Sequence, residues 1–354
     1  MEIPEAQYCR SISFLILNRR SKQFREPVRQ SLSCSTAFER EAQIYNLISF
    51  KTMQGQLRVQ SGWTQLGIFL GFLGGAFILA SLLMAAVIVT KGINPVNMDL
   101  NDPKVLSVMK WLQGISSIII FLLPALLYAT ICIQGSAFKN LGFRPAEKIS
   151  MYWLAVLCIF AAFPLVFWLG ELNQQLPMPE WMKTMEKDAG KQMEAFLKAN
   201  NAFDVFVNVF IIALLPAFCE EICFRGALQR IIIQLTKNPW VGIAVTAILF
   251  SALHLQFQGF FPRVMLGIVL GALFWFSGSL WPSILAHFVN NAVQVIAVSA
   301  SPELATKNPT MPVYYGLLSA VVVAIILYYY QARSTQTYAS VYNRFNYRED
   351  GFPE

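Results

Sequence analysis

Two adjacent carboxylates, Glu220 and Glu221, and a cation, Arg225, directly follow residues 203–219, an almost wholly apolar run whose only charge is Asp204 near its start. Ionisable groups inside a membrane segment cost at least a few kcal/mol each unless they are paired or face a polar cavity, so they mark a functional site by default. The chain has only two histidines, His254 and His287, and both fall in later apolar stretches. With every imidazole gathered behind an intramembrane Glu pair, chemistry outweighs the blander reading of a satisfied core histidine.

Spacing sorts these residues into sets. His287 and Asn291 are four apart, so on a helix they project from one face. Glu221 and Arg225 share that interval, which suits an ion pair along the helix and leaves Glu220, about 100° around, facing elsewhere. A carboxylate and an imidazole can each take and return a proton near neutral pH, and an imidazole with a carboxamide can hydrogen-bond a developing oxyanion. Each preorganised donor of that kind is commonly worth ~3 kcal/mol. Water activated by Glu and His opposite an oxyanion cradle can hydrolyse an amide without a Ser or Cys nucleophile.

Such groups need a membrane-embedded scaffold. The 354 residues are 56% hydrophobic and 13% charged, with a mean hydropathy of +0.50, too apolar for a soluble domain of this length. The composition predicts an all-α, polytopic helical bundle. Eight apolar spans are expected, at 65–89, 111–134, 151–169, 203–233, 240–255, 264–276, 281–298 and 313–330. Gly67, Gly71 and Gly75 form a smooth strip on the first, expected to permit close packing within the molecule. Pro124 and Pro164 are tolerable where neighbouring helices satisfy the freed carbonyls.

Three regions follow: a polar, basic tail over 1–62, a transmembrane domain over 63–331 with its motif-bearing core at about 203–298, and a polar tail over 332–354. A start at Met53 is the alternative for the first tail. The net charge of +7 lies largely in termini and loops. It is topology information and attraction for anionic lipid, with no nucleic-acid module to use it. Loop charges put both termini in the cytoplasm, in the plasma (inner) membrane of a bacterium. Residues 180–198, with Met182, Met185, Met193, Phe196 and Leu197 among charges, read as an interfacial amphipathic helix that caps the bundle or gates substrate. Four of six cysteines lie in apolar runs, which argues against a disulfide framework.

Glu220-Glu221-x-x-x-Arg225, Phe250-x-x-x-His254 and His287-x-x-x-Asn291, in this order on successive apolar stretches, are similar to the three motifs of the CAAX-protease and bacteriocin-processing (Abi) family, intramembrane endopeptidases that include the Ras-converting prenyl proteases. The resemblance covers residues 110–300. It implies an eight-helix bundle around a glutamate-dependent peptidase, with Glu220 the general base, His254 its assistant, and His287 and Asn291 the oxyanion donors. Glu221 and Arg225 would support the site and Phe250 would pack it. The substrate would be a peptide or protein, CAAX-type and prenylated in the family's name-giving activity.

Zinc is the alternative. Glu220, His254 and His287 are acceptable ligands, with Cys219 and Cys223 nearby, but no His-Glu-x-x-His motif is present. No cofactor is the favoured expectation, and the two cysteines read as small packing residues. Two non-proteolytic readings stay open: a proton-relay transporter, for which no internal repeat is visible, and a scaffold or immunity-type protein that binds a peptide without cutting it.

Overall fold

A computed structural model describes residues 61–95, 98–133, 136–301, 304 and 310–335. The expectations for residues 1–60 and 336–354 lie outside them. Ten helices and no strands occur among the described residues: α1 (Gly62–Thr90), α2 (Pro103–Cys132), α3 (Ala137–Leu141), α4 (Ile149–Gln174), α5 (Glu180–Leu197), α6 (Ala202–Thr236), α7 (Pro239–Ala252), α8 (Phe260–Ser277), α9 (Leu280–Ala300) and α10 (Val313–Arg333). The all-α bundle matches the expectation.

Seven of them, α1, α2, α4, α6, α8, α9 and α10, are long and apolar enough to cross a membrane, one fewer than the eight expected spans. The difference is α7. Its 14 residues reach about 21 Å at 1.5 Å per residue, against about 30 Å of hydrocarbon. The sequence over 240–255 gives no sign of this early stop, because Leu253 and Leu255, on either side of His254, are as apolar as the residues before them.

Local signals explain the boundaries. Asn238 caps α7, its side-chain oxygen accepting from the backbone N–H groups of Trp240 and Val241, with Pro239 at the first helical position. Ser279 caps α9 by accepting from the Trp281 N–H, after Gly278 has closed α8 in the left-handed conformation. Pro124 and Pro216 each lie two residues past a π-helical stretch, Ile118–Leu122 in α2 and Val209–Leu214 in α6. Pro164 in α4 interrupts the ladder. There the Ser319 hydroxyl of α10 accepts from the Leu165 N–H and donates to the Ala161 carbonyl, so a neighbouring helix repairs the break as expected.

Of four apolar clusters among the described residues, two are large. One gathers Phe69, Tyr128, Ile222, Phe224, Phe250 and Phe274, the other Ala155, Ile159, Val269, Leu273, Val323 and Tyr330. Large side chains such as Phe77, Ile78 and Leu82 of α1 point outward, as lipid contact requires. The glycine strip of α1 also points outward. A Cβ at Gly67, Gly71 or Gly75 would meet no atom of the described residues within 4 Å, so the strip does not serve packing among them. The cause is the helix's buried face, which runs through Gln65, Phe69, Ala76 and Ala80.

Candidate active site

Near the middle of the 35-residue α6, Glu220 and Glu221 are both buried. The helix then widens into a π-helical stretch, Ile222–Gln229, which carries Arg225. Such stretches recur at functional sites because they turn side chains out of the regular register. Arg225 Nη1 donates to Glu221 Oε1 at 2.8 Å, with both side chains fully buried. Arg225 Nη2 reaches the Gly267 carbonyl at 3.2 Å. Gly267 is required for this approach of α8 to α7, since a Cβ there would lie 2.8 Å from that of Ala247.

Glu221 collects further donors. Ser283 Oγ of α9 donates to its Oε2, and His287 Nδ1 lies 2.8 Å from its Oε1. A buried carboxylate is tolerable only with this degree of compensation. The arrangement turns Nε2 of His287 toward Glu220, 3.8 Å from its Oε2. Glu220 has no hydrogen-bond partner among the described residues. One carboxylate is therefore closed into a network while its neighbour stands open.

His254 departs from expectation. It lies two residues past the end of α7, in the turn that leads to α8, and not within a helix. Its Nδ1 sits 2.8 Å from the Phe250 carbonyl, which can only accept, so Nδ1 carries the hydrogen and Nε2 is left as a base. Phe250 joins the set: its ring is edge-on to His254 at 4.9 Å and to His287 at 5.7 Å. The Arg225 guanidinium lies 5.0 Å from its centroid. Burial lowers the His254 pKa, opposed by the Glu220 carboxylate and reinforced by Arg263 and His287. Because α7 is short, His254 emerges where Phe250 can bridge it to His287, which full-length spans in alternation would have kept apart in depth.

Asn291 lies one turn beyond His287 and is half-buried. The hydrogen bond given to its side chain comes from Asn290, whose Nδ2 donates to the Asn291 Oδ1 at 3.1 Å. That bond leaves the Asn291 NH2 group to donate elsewhere. Ser283 and Asn290 are site residues that sequence reasoning missed. Ser283 had a signal: Ser283, His287 and Asn291 recur at intervals of four along an apolar helix.

Among the described residues no three His, Cys, Asp or Glu side chains are grouped to hold a metal ion. Of the three residues weighed as zinc ligands, His287 turns Nδ1 to Glu221 and Nε2 toward Glu220. Cys219 and Cys223 are buried free thiols.

Residues 202–293 match the family model described as type II CAAX prenyl endopeptidase Rce1-like. This segment is Rce1-like. It contains all three motifs and agrees with the CAAX-protease resemblance read from them. A curated relative, "Uncharacterized protein YpbD" of Bacillus subtilis (strain 168), is 30% identical over 90 residues, 24% of this chain and 43% of that protein. The chain thus aligns with less than half the length of that relative. No solved structure matches. The seven apolar helices support an integral membrane protein.

Proposed function

We propose that the protein is an intramembrane endopeptidase in which Glu220 activates water, assisted by His254. The observation that carries this reading is the inequality of the two carboxylates. Glu221 is neutralised by Arg225 and further bound by Ser283 and His287, so it holds other groups in place. Glu220 remains to take a proton.

In the proposed reaction Glu220 removes a proton from water as its oxygen attacks the scissile carbonyl carbon. The oxyanion is met by the Asn291 amide N–H and by His287 Nε2 when that nitrogen carries a proton. Its Nδ1 is fixed by Glu221. The C–N bond then breaks as the proton held by Glu220 passes to the leaving nitrogen, and His254 Nε2 serves as a second acceptor and donor for protons in transit. The products are a carboxylate and an amine. Arg225, Phe250 and Glu221 position the set without touching substrate.

The substrate class that fits is a peptide segment reaching the site through lipid, for which a prenylated CAAX peptide is the first probe. The test is cleavage of prenylated and unprenylated CAAX peptides by the purified protein, alone and with a zinc chelator. Cleavage that survives the chelator and is lost in Glu220→Gln supports the proposal; a chelator-sensitive activity or an active Glu220→Gln contradicts it. A peptide-binding scaffold would tolerate Glu220→Gln and cut neither peptide.

A further inference from the structure

The loop that presents His254 is held from outside the three motifs. Residues 253–259 join α7 to α8, and Leu255, next to His254, has φ 52°. A left-handed leucine costs roughly 1–2 kcal/mol and persists only where its surroundings over-determine it. Leu255 does not supply that hold, because its side chain is exposed.

Two side chains from elsewhere in the fold supply it. Glu186 of the amphipathic helix α5 accepts at Oε2 from the Phe257 N–H at 2.8 Å and lies 3.4 Å from the Gln258 nitrogen. Asn173, buried at the end of α4, donates from Nδ2 to the Phe257 carbonyl at 2.8 Å and accepts at Oδ1 from the Phe261 N–H at 2.9 Å. Trp181 of α5 packs edge-on against Phe257 at 5.6 Å. Each bond satisfies a backbone group that a short, non-helical connection beside an apolar bundle would otherwise leave bare.

We propose that Glu186 and Asn173 are positioning residues for His254, clamping loop 253–259 in the course that keeps the imidazole beside Phe250 and within reach of Glu220. The inference rests on the reading of His254 as part of the catalytic set. It makes α5 part of the active site, more than a cap on the bundle. The clamp holds backbone, so the carbonyl of a glutamine at 186 serves as well as a carboxylate. Loss of the acceptor frees the loop to relax Leu255 out of the left-handed region. Leu255→Gly removes the penalty for that conformation and returns the loop toward its working course.

The experiment compares wild type, Glu186→Ala, Glu186→Gln and Glu186→Ala/Leu255→Gly. Histidine-selective 13C NMR is the first readout, because the chain has two histidines and His254→Ala assigns the signals. Glu220, Arg263 and His287 face His254, and none is altered. Removing the Glu186 charge alone would push the His254 titration further down, whereas release from its buried position moves it up toward free imidazole. The expected result is an upward move in Glu186→Ala, little change in Glu186→Gln, and return in the double variant. Cleavage of the prenylated CAAX peptide should follow the same order, with kcat down about 10- to 100-fold in Glu186→Ala and KM little changed. An unmoved or lowered His254 titration in Glu186→Ala, or a double variant no better than the single one, overturns the clamp. Activity that survives Glu220→Gln would instead overturn the catalytic reading beneath it.

Discussion

His287 Nδ1 lies 2.8 Å from Glu221 Oε1, across 66 positions of sequence, and this one contact sets the surroundings of the two glutamates apart. It spends Glu221 on orienting an imidazole and turns the other ring nitrogen toward Glu220. The same carboxylate is already neutralised by Arg225 within its own helix.

Breaking that helix pair should be costly. Arg225→Ala leaves a fully buried carboxylate without its cation, and about 3–5 kcal/mol of stability should be lost. Replacing both residues by apolar ones, as Glu221→Leu/Arg225→Leu, should cost less than the single change. Thermal unfolding in detergent, read by tryptophan fluorescence, checks the ordering.

Ser283→Ala should weaken the network more gently. It removes one donor from Glu221 and leaves Arg225 and His287 in place, so a loss of about 1–3 kcal/mol is expected. Turnover should fall as the His287 ring loses part of its support, with substrate binding unchanged. Steady-state kinetics and melting of the same preparation separate the two effects.

Burial lowers the pKa of His254, so the ring is neutral throughout the neutral range. As pH falls below the ordinary imidazole value of about 6.5, the unfolded chain binds a proton that the folded chain resists, and stability drops. The acid limb of the rate should likewise lie below that ordinary value, because a protonated His254 cannot accept. A pH–rate profile of wild type beside His254→Ala measures this; an acid limb above 6.5 would go against it.

Asn291→Ala should reduce kcat about 100-fold or more while leaving peptide affinity nearly unchanged, as removal of an oxyanion donor does. Cys219→Ala with Cys223→Ala should leave cleavage intact, since both thiols are buried packing groups. Initial rates and equilibrium peptide binding for the two variants decide both points.

What was legible in the sequence was whatever lay within one helix. The Glu221–Arg225 pair and the divergence of Glu220 follow from an interval of four and a rotation of 100°, and the structure has them so. The His287–Glu221 contact joins α9 to α6 and no local interval announces it. His254 was misplaced within a helix because residues 240–255 are apolar but for Thr246, Ser251 and His254 itself, while the loop that follows α7 is bonded by side chains 71 to 88 positions upstream, Glu186 and Asn173. The glycine strip of α1 was visible, but its direction depends on which face Phe69 and Ala76 bury. Ser283 could have been read from the Ser283–His287–Asn291 spacing.

In the proposed mechanism Glu220, and not Glu221, activates the water. Its most direct test is the single-turnover cleavage rate of a prenylated CAAX peptide by wild type, Glu220→Gln and Glu221→Gln, with peptide binding and melting temperature measured on each. Glu220→Gln should not cleave at all, at wild-type binding and stability, and Glu221→Gln should be slowed and less stable. Cleavage retained by Glu220→Gln would contradict it.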